Sequence, residues 1–466
     1  MSRSGLARGC AALLACVTLF AARTVFPQIL SQPPQPAPSS ASAPAAPATL
    51  PSFTLDQAIA AAVANDPLFR TAVASAGSAR LDAAITRSAL LPNASATGIY
   101  TYTQPNGLHS DTAAIGLQSL PVFVANDSVH EYWAQLLVNQ NVSLANIAVW
   151  RRSRALAAQA SADLESARRD LVVRVVAAYF GVVASAKKVA VAQRALDESH
   201  AFVDLTRKLE AGREVAHADV VKADLEFQQR QREFQDASLA AEKARLDLGV
   251  LLFPDPRSPY TLADENQPLA ALPDRPAVEA AASSHNPDLR SALAALHAAK
   301  SEVSAARFAY MPAFGFNYTW GLNAPQLAVN GETKGDRNLG FSAAFTMNVP
   351  LWDWFATQDR VRQAQLREKA AQAALTNTQR QLIAQLDEDY NEARTASDQV
   401  ASLRTSVDTA RESLRLTRLR YSAGEALALE VVDAESSLAQ AEAALADGIL
   451  RSRVARANLQ TLTGSL

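Results

Sequence analysis

The sequence predicts a mostly helical protein with a membrane β-barrel portion, built from one structural unit written twice. Three observations carry that prediction. Caps, helices and terminators recur about 220 residues apart, proline-free stretches run for more than 60 residues, and short segments between them alternate strictly between apolar and polar side chains. A duplicated pattern of long antiparallel coiled-coil hairpins plus four β-strands per chain follows.

Composition sets the limits. The 466 residues are 49% hydrophobic with a formal net charge of −2, so the chain can bury a large core and has no bulk positive charge to hold nucleic acid. Glycines number 17 and alanine and leucine are abundant, which favours helix. Residues 1–26 read as a signal peptide, with Arg3 and Arg8 ahead of an apolar run from Cys10 to Ala22. Within it Leu13-Leu14-Ala15-Cys16 resembles a lipobox, making Cys16 a candidate for acylation. Both cysteines lie here, so no disulfide or thiolate metal site is expected beyond Cys16. Residues 27–53, rich in proline, alanine and serine, read as a flexible spacer. No later window is expected to be apolar enough for a membrane helix, so a membrane crossing would use strands.

The first repeat is placed at residues 54–250. Thr54 and Gln57 have capping-box spacing, and a short helix runs from there to about Asn65. Asp66-Pro67 then supplies a cap with proline at the first helical position, opening a helix to Leu91 that Pro92 ends. Strands are expected at about 93–103 and 132–142. A helix from about Ala145 to Ala211 follows, then a turn at Lys208 to Gly212 and a return helix from about Ala216 to Leu248.

Residues 251–273 form a proline-rich connector, and the second repeat occupies 274–466. An offset of 220 maps Thr54 onto Asp274, Asp66-Pro67 onto Asn286-Pro287 and Pro92 onto Pro312. Strands are expected at about 313–323 and 340–350, and the long hairpin at 353–463. An offset of 211 maps Leu171, Val175, Tyr179 and Val203 onto Leu382, Leu386, Tyr390 and Leu414. Those positions step by three, four or seven residues, a coiled-coil seam.

The strands carry one apolar, aromatic face and one small or polar face. Phe314, Phe316, Tyr318 and Trp320 alternate with Gly315, Asn317 and Thr319; Ile99, Trp133 and Leu137 interrupt the polar face in the first half. Lipid outside and water inside fits this pattern. Four strands cannot close a barrel, so the chain must oligomerise, and a dimer and a trimer would give eight and twelve strands. His109, Asp111, Asp127 and His130 in the loop have no ligand spacing, and His200, His217, His285 and His297 fall on helices or caps. With no metal, nucleophile or phosphate-loop pattern, no enzyme activity and no cofactor are expected.

One break remains, Arg420-Tyr421-Ser422-Ala423-Gly424, with Glu430 and Asp433 shortly after it. At the offset of 211 it matches Lys208 to Gly212, but the glycines miss each other by one residue, so the two turns are expected to differ in shape. Asp219 and Lys222 align with Glu430 and Asp433, leaving the hairpins unequal in charge.

The duplicated plan, the helix starts at Pro67 and Pro287, the Asn-Val-x-Leu junctions at Asn141 and Asn348, and the Arg-Tyr-x-x-Gly turn at Arg420 together resemble the TolC-type outer-membrane efflux proteins. That resemblance implies a homotrimeric α/β barrel in the outer membrane of a Gram-negative bacterium, in contact with its lipid and extended into the periplasm. It implies a passive exit duct of a tripartite efflux or secretion system, joined to a periplasmic adaptor (membrane fusion protein) and an inner-membrane pump. By position it assigns Glu430 and Asp433 to the entrance gate, and Gly212, Arg420, Tyr421 and Gly424 to the periplasmic tip that docks the adaptor. A basic residue usual two places beyond the turn glycine is Ala426 here, which puts the closed-state latch in doubt. The alternative is a soluble periplasmic coiled-coil scaffold or adaptor without a pore, which leaves four aromatic-faced strands without a purpose.

Overall fold

The computed structural model describes residues 52–103, 130–263, 271–331 and 337–463. The leader with Cys16, the spacer up to Pro51, and His109, Asp111 and Asp127 lie outside the described residues.

In the first half, strand β1 (Ser52–Phe53) leads into helices α1 (Leu55–Asn65) and α2 (Pro67–Ser88). Thr54 and Gln57 form the expected reciprocal capping box, the Thr54 hydroxyl accepting from the Gln57 amide at 3.4 Å while the Gln57 side chain accepts from the Thr54 amide at 3.1 Å. Asp66 caps α2 by accepting from the Leu68 and Phe69 amides at 2.7 and 3.2 Å. The helix ends at Ser88 rather than Leu91: Leu90 and Leu91 donate to Arg87 and Ser88 in tight turns, because Pro92 forces the residue before it out of helical geometry.

Strands β2 (Asn93–Tyr102) and β3 (His130–Val142) follow, then the long helix α3 (Leu144–Ala211) and its return α4 (His217–Leu252). The second half repeats the order with α5 (Arg275–His285), α6 (Pro287–Phe308), β5 (Ala313–Ala324), β6 (Leu339–Asn348), α7 (Ala356–Ser422) and α8 (Ala428–Thr463). Asn286 caps α6 as Asp66 caps α2, whereas Asp274, the counterpart of Thr54, makes no capping bond through its side chain. At 68 and 67 residues, α3 and α7 each reach roughly 100 Å.

Between the halves the connector is less irregular than expected. Its strand β4 (Thr261–Leu262) pairs in parallel with β1, and the Tyr179 hydroxyl donates to the Phe53 and Ala263 carbonyls at 3.1 and 2.9 Å. The main core sits beside this clasp, where Leu171, Val175 and Tyr179 of α3 meet Leu248 and Leu252 of α4 and Ala58 and Ala62 of α1. The expected seam is buried at these positions and, in α7, at Leu386, Ala393, Val400, Val407 and Leu414. Contrary to the sequence expectation, α3 contains an 18-residue window of mean hydropathy 1.6, apolar enough by length and composition to cross a membrane. Val175, Val176, Tyr179, Phe180 and Val182 of this helix are buried in the main core.

The four long strands form one antiparallel sheet in the order β2-β3-β5-β6. Its register brings the apolar faces together: Tyr100 lies opposite Tyr132, Leu136 opposite Trp320, and Phe316 opposite Phe345 with ring centroids 4.8 Å apart. The opposite face carries Ser95, Thr97, Gln135, Asn139, Asn317, Thr319, Ser342 and Thr346. Two residues that break the polar face, Ile99 and Trp133, are cross-strand partners, so the exceptions share one place on the sheet. At the end of β6 the chain makes an aromatic bend, with Trp354 and Phe355 at φ 56° and 67° before α7 begins.

A functional site at the helical tips

Helices α3 and α7 start at the sheet, so the turns at their far ends are the residues farthest from it along each hairpin. Both turns are built alike. In the first, Gly212, Arg213 and Glu214 donate to the carbonyls of Lys208, Glu210 and Leu209; in the second, Ala423, Gly424 and Glu425 donate to Leu419, Tyr421 and Arg420. Each partner is displaced by 211 residues, and the pattern is the αL termination that satisfies the last helical carbonyls. The expectation of two different shapes is therefore corrected. The left-handed position is Gly424 at φ 76° in one turn and Arg213 at φ 62° in the other, while Gly212 has ordinary helical geometry at φ −74°.

The four helices converge just behind the turns. Phe202 and Val203 of α3, Ala223 of α4, Tyr421 of α7, and Ala428 and Val431 of α8 form a buried cluster. The Tyr421 ring is 6% exposed, lies 5.2 Å from the Phe202 ring, and brings its hydroxyl to 3.5 Å from Thr206 Oγ1. Tyr421 thus holds the two hairpins together, while Arg420, Gly424 and Gly212 are on the surface. Ala426, at the position of the absent basic residue, packs against this cluster.

The two acids have different surroundings. Glu430 accepts from the Leu427 amide at 3.2 Å, completing half of a capping box for α8, and its other oxygen lies 3.4 Å from Arg420 Nη1. Arg420 also donates to the Glu425 carbonyl at 3.1 Å, so Glu430 is tied into the turn. Asp433 is exposed, and no ion pair of its carboxylate occurs among the described residues. In the first hairpin Lys222 is exposed and Asp219 half-buried.

A charged knot that sequence reasoning missed lies one step further in. Arg418 of α7 reaches Glu198 of α3 at 2.9 Å and Glu435 of α8 at 2.7 Å, joining the hairpins electrostatically. Glu435 is 5% exposed. Burial pushes its carboxyl above the usual range; Arg418 pulls the other way, and Glu198 and Glu226 add to the push. The available signal was spacing: Ala428, Val431 and Glu435 step by three and four, which places a carboxylate on the buried stripe of α8. Among the described residues no cluster of histidine, cysteine or carboxylate side chains could hold a metal.

Residues 280–465 match the outer membrane efflux protein family. The alkaline protease secretion protein AprF of Pseudomonas aeruginosa is 25% identical over 81% of this chain and 77% of its own length. The outer membrane protein OprJ of the same organism is 25% identical over 63% of this chain and 61% of its own length. Among solved structures, the Campylobacter jejuni CmeC outer membrane channel superposes with a TM-score of 0.75 at 16% identity, covering 88% of this chain and 85% of that one. The chain is thus similar to the TolC-type outer membrane efflux proteins, with the family match covering residues 280–465.

That similarity places the chain in the outer membrane of a Gram-negative bacterium, with a periplasmic extension. The family consists of channels for efflux and secretion rather than enzymes.

Proposed function

We propose that three copies of this chain close into a passive exit duct, a twelve-stranded barrel continued by a helical cylinder. The duct receives cargo at its tips from a periplasmic adaptor and an inner-membrane pump. The observation that carries this reading is the contrast between α2 and α6. Both have 22 residues and a side-chain cap followed by proline, yet α6 buries Pro287, Ala298, Ala299 and Val303 between two long helices whereas α2 buries nothing. A repeat unit that lacks one neighbour at one end and has an open sheet edge at the other is completed by copies of itself in a ring.

The tip serves as the gate. The Tyr421–Phe202 contact and the Arg418 knot hold the hairpins together in the closed state, and adaptor contact at Arg420, Gly424 and the first turn biases them apart. Repeated by symmetry, Glu430 and Asp433 line a narrow mouth that favours cations. Flux takes its energy from the pump, and the duct does no chemistry. The names of relatives span protease secretion and outer-membrane channels, so the partner pump selects the cargo.

The test is direct. Detergent-extracted protein should run as a heat-modifiable trimer, conduct ions in planar bilayers, and crosslink to a periplasmic adaptor through a photoreactive residue placed at Glu425. A monomer without conductance would establish the pore-free scaffold instead.

A further inference from the structure

The internal repeat also specifies how one copy meets the next. We propose that β6 of each copy pairs antiparallel with β2 of the next in a single register, with Val349 opposite Ala94 and Thr346 opposite Thr97. In the same contact, Leu366 of α7 seats over Gly77 of the neighbouring α2. This rests on the ring assembly proposed above and adds the surfaces that form it.

The template is the contact between the two halves. There β3 pairs with β5 so that Val142, just before the cap of α3, lies opposite Phe314, the second residue after Pro312. The sequence Asn141-Val142-Ser143-Leu144 returns as Asn348-Val349-Pro350-Leu351, and Phe314 corresponds to Ala94 after Pro92. Transferring the contact places Val349 opposite Ala94, and the ladder then runs through Met347 and Ala96 to Phe345 and Gly98. A ring thereby covers a strand glycine, while small polar residues meet on the other face.

A slip by one residue would exchange the apolar and polar faces. A slip by two is the serious rival, because the hydrogen-bond ladders within the two hairpins, taken alone, extrapolate to it. It would put Pro350, which has no N–H, opposite Ser95 inside the ladder. For a twelve-stranded barrel it would also tilt the strands by roughly 54°, against about 46° in the proposed register and the usual 35–45°.

The helices agree. Between α3 and α6 a shallow cavity is lined by Ala155 of one helix and Leu293 and His297 of the other. The corresponding residues at the open ends are Leu366, Val73 and Gly77, so a large residue has replaced a small one on one side and the reverse has happened on the other. Leu366 is 66% exposed, and a Cβ built at Gly77 would meet nothing within 4 Å. Val73, Leu81 and Ile85, spaced at four or eight residues on α2, are exposed in one stripe with Gly77.

The described residues contain no cysteine, so introduced pairs report cleanly. Thr97→Cys/Thr346→Cys places Cα atoms about 4.5–5.5 Å apart, within disulfide reach, while Ile99→Cys/Thr346→Cys sits on a diagonal beyond it. Oxidation in outer membranes, with the single-cysteine variants as controls, should convert the first pair into a ladder ending at the covalent trimer and leave the second unlinked. The reverse pattern would overturn the register. An intact oligomer in which neither pair links would overturn the seam while leaving the ring standing. A ladder that stops at two copies or passes three would support the seam and refute the trimer. Gly77→Leu, in open space on the single chain, should abolish the unheated oligomer band; an undiminished band would overturn the helical contact.

Discussion

Arg213 and Gly424 occupy the same place in two copies of one turn, and only one of them is suited to it. Left-handed geometry costs an ordinary L-residue roughly 1–2 kcal/mol, so Gly424→Val should loosen the second turn by about that much. Hydrogen exchange across residues 419–430 should accelerate accordingly, while Arg213→Gly should leave exchange in the first turn nearly unchanged, because backbone relief is offset by added unfolded-state freedom. At Tyr421 the ring matters more than the hydroxyl. Removing it in Tyr421→Ala takes away a buried aromatic contact and should cost about 3 kcal/mol of tip stability, against less than about 1 kcal/mol for Tyr421→Phe. Local exchange of α8 separates the two variants. The sequence made Tyr421 and Gly424 visible as a turn signal but put the first turn's special residue at Gly212. Glycine is equally content with helical angles, so its presence marks permission for a left-handed residue without locating it.

The long helices were legible in the sequence because a seam repeated over nine turns or more has no competing period, and the strands because alternation marked both faces. What stayed hidden depends on which residues meet across elements. The β1–β4 clasp is two residues per strand, too short for a pattern, and is specified by Tyr179 on a distant helix. Glu198, Arg418 and Glu435 sit on three different helices, and no linear spacing connects them. Their knot makes the tip sensitive to pH. The folded-state carboxyl of Glu435 binds its proton more tightly than an unfolded one, so its contribution is fully present below the ordinary glutamate range and declines as pH rises through the raised value. The folded tip should therefore be firmer under mild acid than at neutral pH. Glu435→Gln should remove that dependence, and exchange of α8 near Val431, compared at the two pH values in both proteins, measures it. Equal pH dependence in the variant would assign the effect elsewhere.

In the ring of three proposed above, symmetry would multiply whatever each tip presents, and the single chain already separates the two acids. Glu430 is held by its own helix start and by Arg420, so three copies contribute three partly neutralised pairs. Asp433 has no such partner among the described residues, so three copies contribute three uncompensated carboxylates. A narrow, partly desolvated mouth amplifies a net charge more than a paired one. Cation selectivity of the closed or partly open duct should then follow Asp433. Asp433→Asn should lower the cation-to-anion permeability ratio clearly, Glu430→Gln should change it less, and Arg420→Ala should raise it by releasing Glu430. Reversal potentials across planar bilayers under a salt gradient read all three. Equal losses for the two acids would show that Arg420 turns away from Glu430 in the assembled ring. An unchanged ratio in the Asp433 and Glu430 double substitution would move the charge filter off α8, leaving the Arg418 knot and the Tyr421 contact as a gate that works by packing rather than by charge.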